Sequence, residues 1–152
     1  MHRIVLFLLL LTGCALSTAP NLSKYTQIAH ASDGSRVMGL VEHPPMNIHS
    51  GVWYDTASCL GIFNPPPPTS IFWATADTLI TPEGYLAYGM TVIVNGVPKG
   101  IVVEADFWHF PAVLSHEAIH ALTGRHDHFG PAWACQMISP VDLPLRRYEP
   151  AA

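Results

Sequence analysis

Residues 115–128 read SHEAIHALTGRHDH and set His116, Glu117 and His120 in the pattern H-E-x-x-H. That pattern has a chemical use only on a helix. At about 100° per residue, His116 and His120 then lie one turn apart on one face, with Glu117 rotated to their side. Two imidazoles placed so can grip one metal ion while a carboxylate reaches a water bound to it. The flanking residues predict that helix. Pro111 suits a first turn, Leu114, Ala118 and Leu122 fall opposite the histidines, and Gly124 arrives where a helix stops. One face is left for a core and one for chemistry. Beyond Gly124 the chain can reverse and return His126 or His128 to the metal as the third protein ligand of a catalytic zinc site. A surface helix with solvated histidines, or a structural zinc site, is the plain alternative. A structural site is more often closed by four Cys or His ligands and has no need of Glu117.

The chain begins MHRIVLFLLLLTGC, with a short apolar run from Ile4 to Leu11 and small residues before Cys14. The run is well below the ~20 residues that cross a bilayer, so residues 1–13 are expected to be a signal peptide. Leu11-Thr12-Gly13-Cys14 resembles the bacterial lipoprotein lipobox. By that resemblance Cys14 is lipidated and anchors the mature chain. Ala15 after it points to the periplasmic face of the outer membrane if the cell is Gram-negative. An ordinary secretory signal with an incidental cysteine is the alternative, and both mean export.

Residues 14–34 are expected to be a tether, 35–143 one domain, and 144–152 a flexible tail. Charged residues are 12% and hydrophobic residues 49%, which argues for a buried core and against disorder. Net charge is −4, with no basic run or aromatic-basic stripe, which argues against nucleic acid as a partner. Cys59 and Cys135 remain besides Cys14, and in an oxidising envelope compartment such a pair is expected to form a disulfide. A bond closing so long a loop is worth ~4 kcal/mol in the chain-entropy account. It would also steady the segment after the metal-binding loop.

Residues 39–49, with His43, Pro44, Pro45 and His49, read as an extended loop whose histidines are solvated or hydrogen-bonded rather than a second metal site. A more ordered stretch then runs to Cys59. Four consecutive prolines, Pro65 to Pro68, make a stiff connector. Residues 71–76 and 90–94 are β-branched and aromatic, hence strands, and Asn95-Gly96 is a hairpin turn into a third strand over 97–104. Pro98 cannot donate to a ladder. Residues 100–105 are therefore expected at a sheet edge, open to an added peptide strand or simply structural. His109 reads as a packed histidine, and the aromatics of 106–110 as core.

HEAIHALTGRH resembles the core of the zincin class of zinc metallopeptidases. His126, ten residues beyond His116, is similar in offset to the third ligand of the metzincin pattern H-E-x-x-H-x-x-G-x-x-H, with Thr123 where that pattern has glycine and Gly124 one residue later. His128 stays open as the alternative. Residues 135–140 are faintly similar to a Met-turn, although Met137 reads more simply as core. The resemblance covers about a dozen residues and implies a small zincin-like α+β domain, a short mostly antiparallel sheet packed on the active-site helix. It implies Zn²⁺ on His116, His120 and His126, with Glu117 taking the proton from the zinc-bound water that attacks a peptide or protein substrate. Asp127 can orient an imidazole or sit solvated in the turn, and Tyr85, Tyr88, Tyr148 and His109 are candidates to stabilise the oxyanion. From a different class, the chain can be a non-catalytic envelope lipoprotein whose zinc site is structural or binds a partner.

Overall fold

A computed structural model of the protein describes residues 29–30, 35–137 and 146–147. The signal peptide expected over 1–13, Cys14, most of the tether 14–34, and Tyr148 lie outside the described residues. In chain order the elements are β1 (Ala29–His30), β2 (Arg36–Met38), β3 (Val41–His43), α1 (Asn47–Cys59), β4 (Phe72–Ala76), β5 (Thr78–Ile80), β6 (Tyr85–Ala87), β7 (Gly89–Val94), β8 (Val97–Glu104), α2 (Pro111–Thr123) and β9 (Arg146–Arg147). The fold is α+β, with two sheets that are antiparallel throughout except where β4 runs parallel to β8. Among the described residues no helix is long and apolar enough to cross a membrane.

Strand alternation explains the layering. In the sheet ordered β3-β4-β8-β7, Trp73, Ile101 and Val103 point to the helices and pack with Trp53, Trp108, Leu114 and Ala118. Ala74, Ala76 and Val102 point the other way, into a smaller cluster with Val37 and Leu79 of the second sheet, β1-β2-β5-β6-β9. The middle of the first sheet is therefore covered on both faces. This overturns the expectation that 100–105 form an edge: β8 lies between β4 and β7, and among the described residues the edges are β3 and β7. Ile101-Val102-Val103 is the continuous apolar run of a strand buried on both sides. Pro98 misled because it occupies the part of β8 that outruns β4. Pairing with β4 begins at Gly100, whereas Pro98 faces only Ile93, just past a register shift in β7. The hairpin turn is as expected, with positive φ at both Asn95 and Gly96, as the right-twisted two-residue turn requires.

The second difference is α1. Asn47, Gly51 and the aromatic and β-branched residues around them are poor helix formers, so local preference hides a helix that tertiary packing creates. Val52, Trp53, Thr56 and Ala57 supply its buried face, and the N–H of Met46 at its start donates to His49 Nδ1 at 2.8 Å. The proline connector serves this core directly. The indoles of Trp53 and Trp73 donate to the carbonyls of Pro66 and Pro68, each at 2.9 Å. At the tail, Arg146 and Arg147 pair with Leu86 and Tyr85, so this part of the expected flexible segment 144–152 is a strand.

Candidate metal centre

The site grows out of α2. Pro111 takes the first helical position, and Gly124 ends the helix in the left-handed conformation at φ 67°, its N–H returning to the carbonyl of His120 at 2.8 Å. Leu114 and Ala118 are fully buried beneath it, and burying a leucine is worth about 1.5–3 kcal/mol. The helix is thus clamped by its apolar face, and His116 and His120 project from the other.

His128 joins them. Its Nε2 lies 3.1 Å from Nε2 of His116 and 3.3 Å from Nε2 of His120. Tetrahedral coordination with Zn–N bonds of about 2.0–2.1 Å spaces its nitrogens about 3.3 Å apart, so the three fit one ion. One atom from each of His116, His120 and His128 falls within 4.8 Å of the others, a group able to hold a metal ion. His126, the ligand favoured by the metzincin offset, is exposed and stands outside that group. The reason is local. His120 Nδ1 is hydrogen-bonded to the carbonyl of Arg125 at 2.6 Å, so the chain leaving Gly124 is pinned first on the Nδ1 side of that ring. The Nε2 side is reached three residues beyond Arg125, at His128.

The same carbonyl fixes the tautomer. With the Nδ1–H of His120 donating to Arg125, the lone pair is left on Nε2, facing the other two rings. No side-chain pattern announces this, since the acceptor is a backbone oxygen. Asp127 does not take that role. Arg125 donates to both of its carboxylate oxygens, at 2.8 and 3.0 Å, and the N–H of Phe129 donates to it as well, which together stiffen the turn carrying His128. Those bonds hold Asp127 below its ordinary pKa, the Arg125 hydrogen bond first among the causes.

Burial tunes the remaining groups. It lowers the pKa of His116 to about 4, with the neighbouring charges of His120 and His128 adding to the effect, and it lowers that of His120. Both shifts favour the neutral ring, the form that binds metal. Glu117 is 4% exposed, and burial pushes its carboxyl up to about 8 against a smaller opposing pull from Thr91. Thr91 Oγ1 of β7 lies 2.8 Å from both Glu117 Oε2 and the Glu117 carbonyl. Gly89, also on β7, leaves the carboxylate its room: a Cβ there would stand 2.7 Å from Oε1 and 2.9 Å from Val113. Neither Thr91 nor Gly89 was singled out from the sequence, because only the edge position of β7 brings them to the helix.

Residues 131–137 complete the surroundings. Cys59 and Cys135 form the expected disulfide, tying the end of α1 to a 3₁₀ turn over Pro131–Cys135. From that segment Gln136 hydrogen-bonds to His116, and the N–H of Met137 donates to Ser115 Oγ at 2.9 Å. The Trp133 ring centre lies 4.8, 5.0 and 4.8 Å from those of His116, His120 and His128. Of the oxyanion candidates, Tyr88 packs on Phe107, His109 lies beside His49 and Trp108, and Tyr85 is in β6.

The molecule is thus defined as an α+β domain with a three-histidine centre able to hold a metal ion and a buried carboxyl beside it. No protein-family model, no curated protein and no solved structure matches the chain.

Proposed function

We propose that the chain is an exported zinc metallopeptidase. The observation that carries this reading is the convergence of three imidazoles beside Glu117, a carboxyl one helical position from the first of them, with His128 Nε2 3.1 and 3.3 Å from Nε2 of His116 and His120. Bound there by His116, His120 and His128, Zn²⁺ supplies a Lewis acid that polarises a carbonyl and acidifies water. The chain's own part is proton transfer. Glu117 takes the proton of the attacking water on a carboxylate oxygen and passes it to the leaving amine, and Thr91 and Gly89 hold that carboxyl in place. Its raised pKa keeps it protonated near neutrality until a nearby cation favours the charged form, so ion binding and readiness of the base are coupled. β7 is an edge of its sheet among the described residues and carries both Gly89 and Thr91, which offers an extended peptide a place beside the base. The disulfide agrees with an oxidising compartment, as export and lipidation at Cys14 require.

A second reading is favoured by one observation: the Glu117 carboxyl is buried and already hydrogen-bonded within the protein, as suits a non-catalytic lipoprotein with a structural or partner-binding zinc site. Zinc content and cleavage of an unfolded protein, compared between the full chain and Glu117→Gln, separate the two. Stoichiometric zinc in both with turnover lost only in Glu117→Gln is the expected result. Zinc retained with no Glu117-dependent cleavage transfers the assignment to the non-catalytic reading.

A further inference from the structure

We propose that Trp133, held against α2 by the Cys59–Cys135 disulfide, is the back wall of the metal site and a positioning residue that sets how tightly the histidines hold their ion. The inference rests on the metal-site reading above. Its first support is the arrangement of rings. The three imidazole centres stand 4.9 to 5.0 Å apart, and Trp133 lies 4.8 to 5.0 Å from each, so the indole sits on the axis of the triad and touches every member.

Its second support decides which face Trp133 covers. On a helix, Ser115 and Glu117 stand about 100° to either side of His116. Glu117 is on the flank of β7, where Thr91 holds it, and Ser115 is on the other flank, where its hydroxyl accepts the N–H of Met137. The segment carrying Trp133, Gln136 and Met137 therefore approaches from the side opposite Glu117. The indole backs the ligands from the flank away from Glu117. A flat, rigid ring behind three imidazoles limits their tilt and excludes water from behind, as the groups around metal ligands commonly do.

The third support is the fastening. Pro131–Cys135 is a five-residue 3₁₀ turn with no buried residue, so little apolar burial secures it. What holds it are the hydrogen bonds of Gln136 and Met137 and the covalent bond from Cys135 to Cys59. Trp133 and the disulfide are thus one device, and removing either one should loosen the wall.

The test is Co²⁺ and Zn²⁺ affinity, by competition with a chelator, for the full chain, Trp133→Ala, Trp133→Phe, the double variant Cys59→Ala/Cys135→Ala, and that double variant with Trp133→Ala. Expected are a loss of about 10–100-fold in Trp133→Ala, recovery in Trp133→Phe, a loss in the cystine variant, and no further loss when Trp133→Ala is added to it. Co²⁺ should also quench tryptophan fluorescence in the parent chain and do so much less in Trp133→Phe, a readout that remains decisive if Trp133→Ala does not fold. Unchanged affinity in folded Trp133→Ala, equal losses in the Phe and Ala variants, or equal quenching with and without Trp133 would each overturn the proposal while sparing the metal site. A parent chain that binds neither ion would sink both.

Discussion

His43, His49 and His109 gather around Trp108, with ring centres 5.3, 4.1 and 6.5 Å from the indole, much as His116, His120 and His128 gather around Trp133. The two groups differ in where their nitrogens point. His49 is fully buried, with Nδ1 accepting the N–H of Met46 and Nε2–H donating to the carbonyl of Trp108 at 2.9 Å. His43 Nε2 is bonded to Thr75 Oγ1 at 3.0 Å. Those nitrogens are already engaged, His43 tying β3 to β4 and His49 tying α1 to the segment before α2. In the second group the backbone holds only Nδ1 of His120, and the Nε2 atoms face one another. A cluster of histidines is thus able to hold a metal ion where the fold leaves its lone pairs unengaged.

The largest effect that can break this contrast is on metal affinity. Structural zinc sites bind with about 10–16 kcal/mol over four ligands, so losing one imidazole should cost about 2.5–4 kcal/mol. His128→Ala should show that loss in a chelator competition, and His126→Ala should bind as the parent does. Equal losses in the two would mean that the turn after Gly124 can present either ring.

Stability comes next. His49→Ala removes a buried ring and strands the N–H of Met46 and the carbonyl of Trp108, which should cost about 2–4 kcal/mol in urea unfolding. The folded variant should keep the parent's metal affinity. A metal defect there would show that the two groups are coupled through Trp108 and α2.

The smallest effect is the dependence of stability on pH in the presence of a chelator, where the buried histidines and Glu117 act in opposite senses. Burial lowers the pKa of His49, so the folded chain binds fewer protons there than the unfolded chain, and this contribution is lost as pH falls below about 6.5. Glu117, raised to about 8, acts in the opposite sense: its contribution is full below about 4.5 and declines as pH rises toward 8. Between about 4.5 and 6.5 that decline offsets the gain from His116, whose pKa is lowered to about 4. Stability should therefore peak near pH 6.5 and fall by about 2 kcal/mol by pH 8, at 1.36 kcal/mol per unit. Urea unfolding at pH 5, 6.5 and 8 would show it. Glu117→Gln should abolish the alkaline fall and leave the acid one, and an alkaline fall that persists in this variant would contradict the assignment.

The catalytic-looking helix was legible because its information is local. Spacing alone puts His116, Glu117 and His120 on one turn, and Pro111 and Gly124 mark its ends through backbone conformations that few other residues favour. The strands over 72–76 and 90–94 and the Asn95-Gly96 turn were legible for the same reason. Pairing of Cys59 with Cys135 followed from there being two cysteines besides Cys14. Helix α1 was not legible, because its residues prefer other conformations and its stability comes from Trp53 and His49 packing against distant partners.

What the sequence determined by itself, then, is the local chemistry: a helix bearing two imidazoles and a carboxyl, a turn after it rich in histidine, and a cysteine pair. What only the tertiary structure decided is the completion of the site. The choice of His128 over His126 depends on the Arg125 carbonyl reaching His120 across the helix end. The placement of β8 inside its sheet depends on its parallel partner β4, whose pairing starts beyond Pro98. The burial that raises the pKa of Glu117 and the position of Trp133 beside the histidines come from tertiary packing, the latter next to a disulfide with a sequence separation of 76. Each of these is a contact between residues far apart in the chain, and no short-range pattern encodes the direction from which a distant segment arrives.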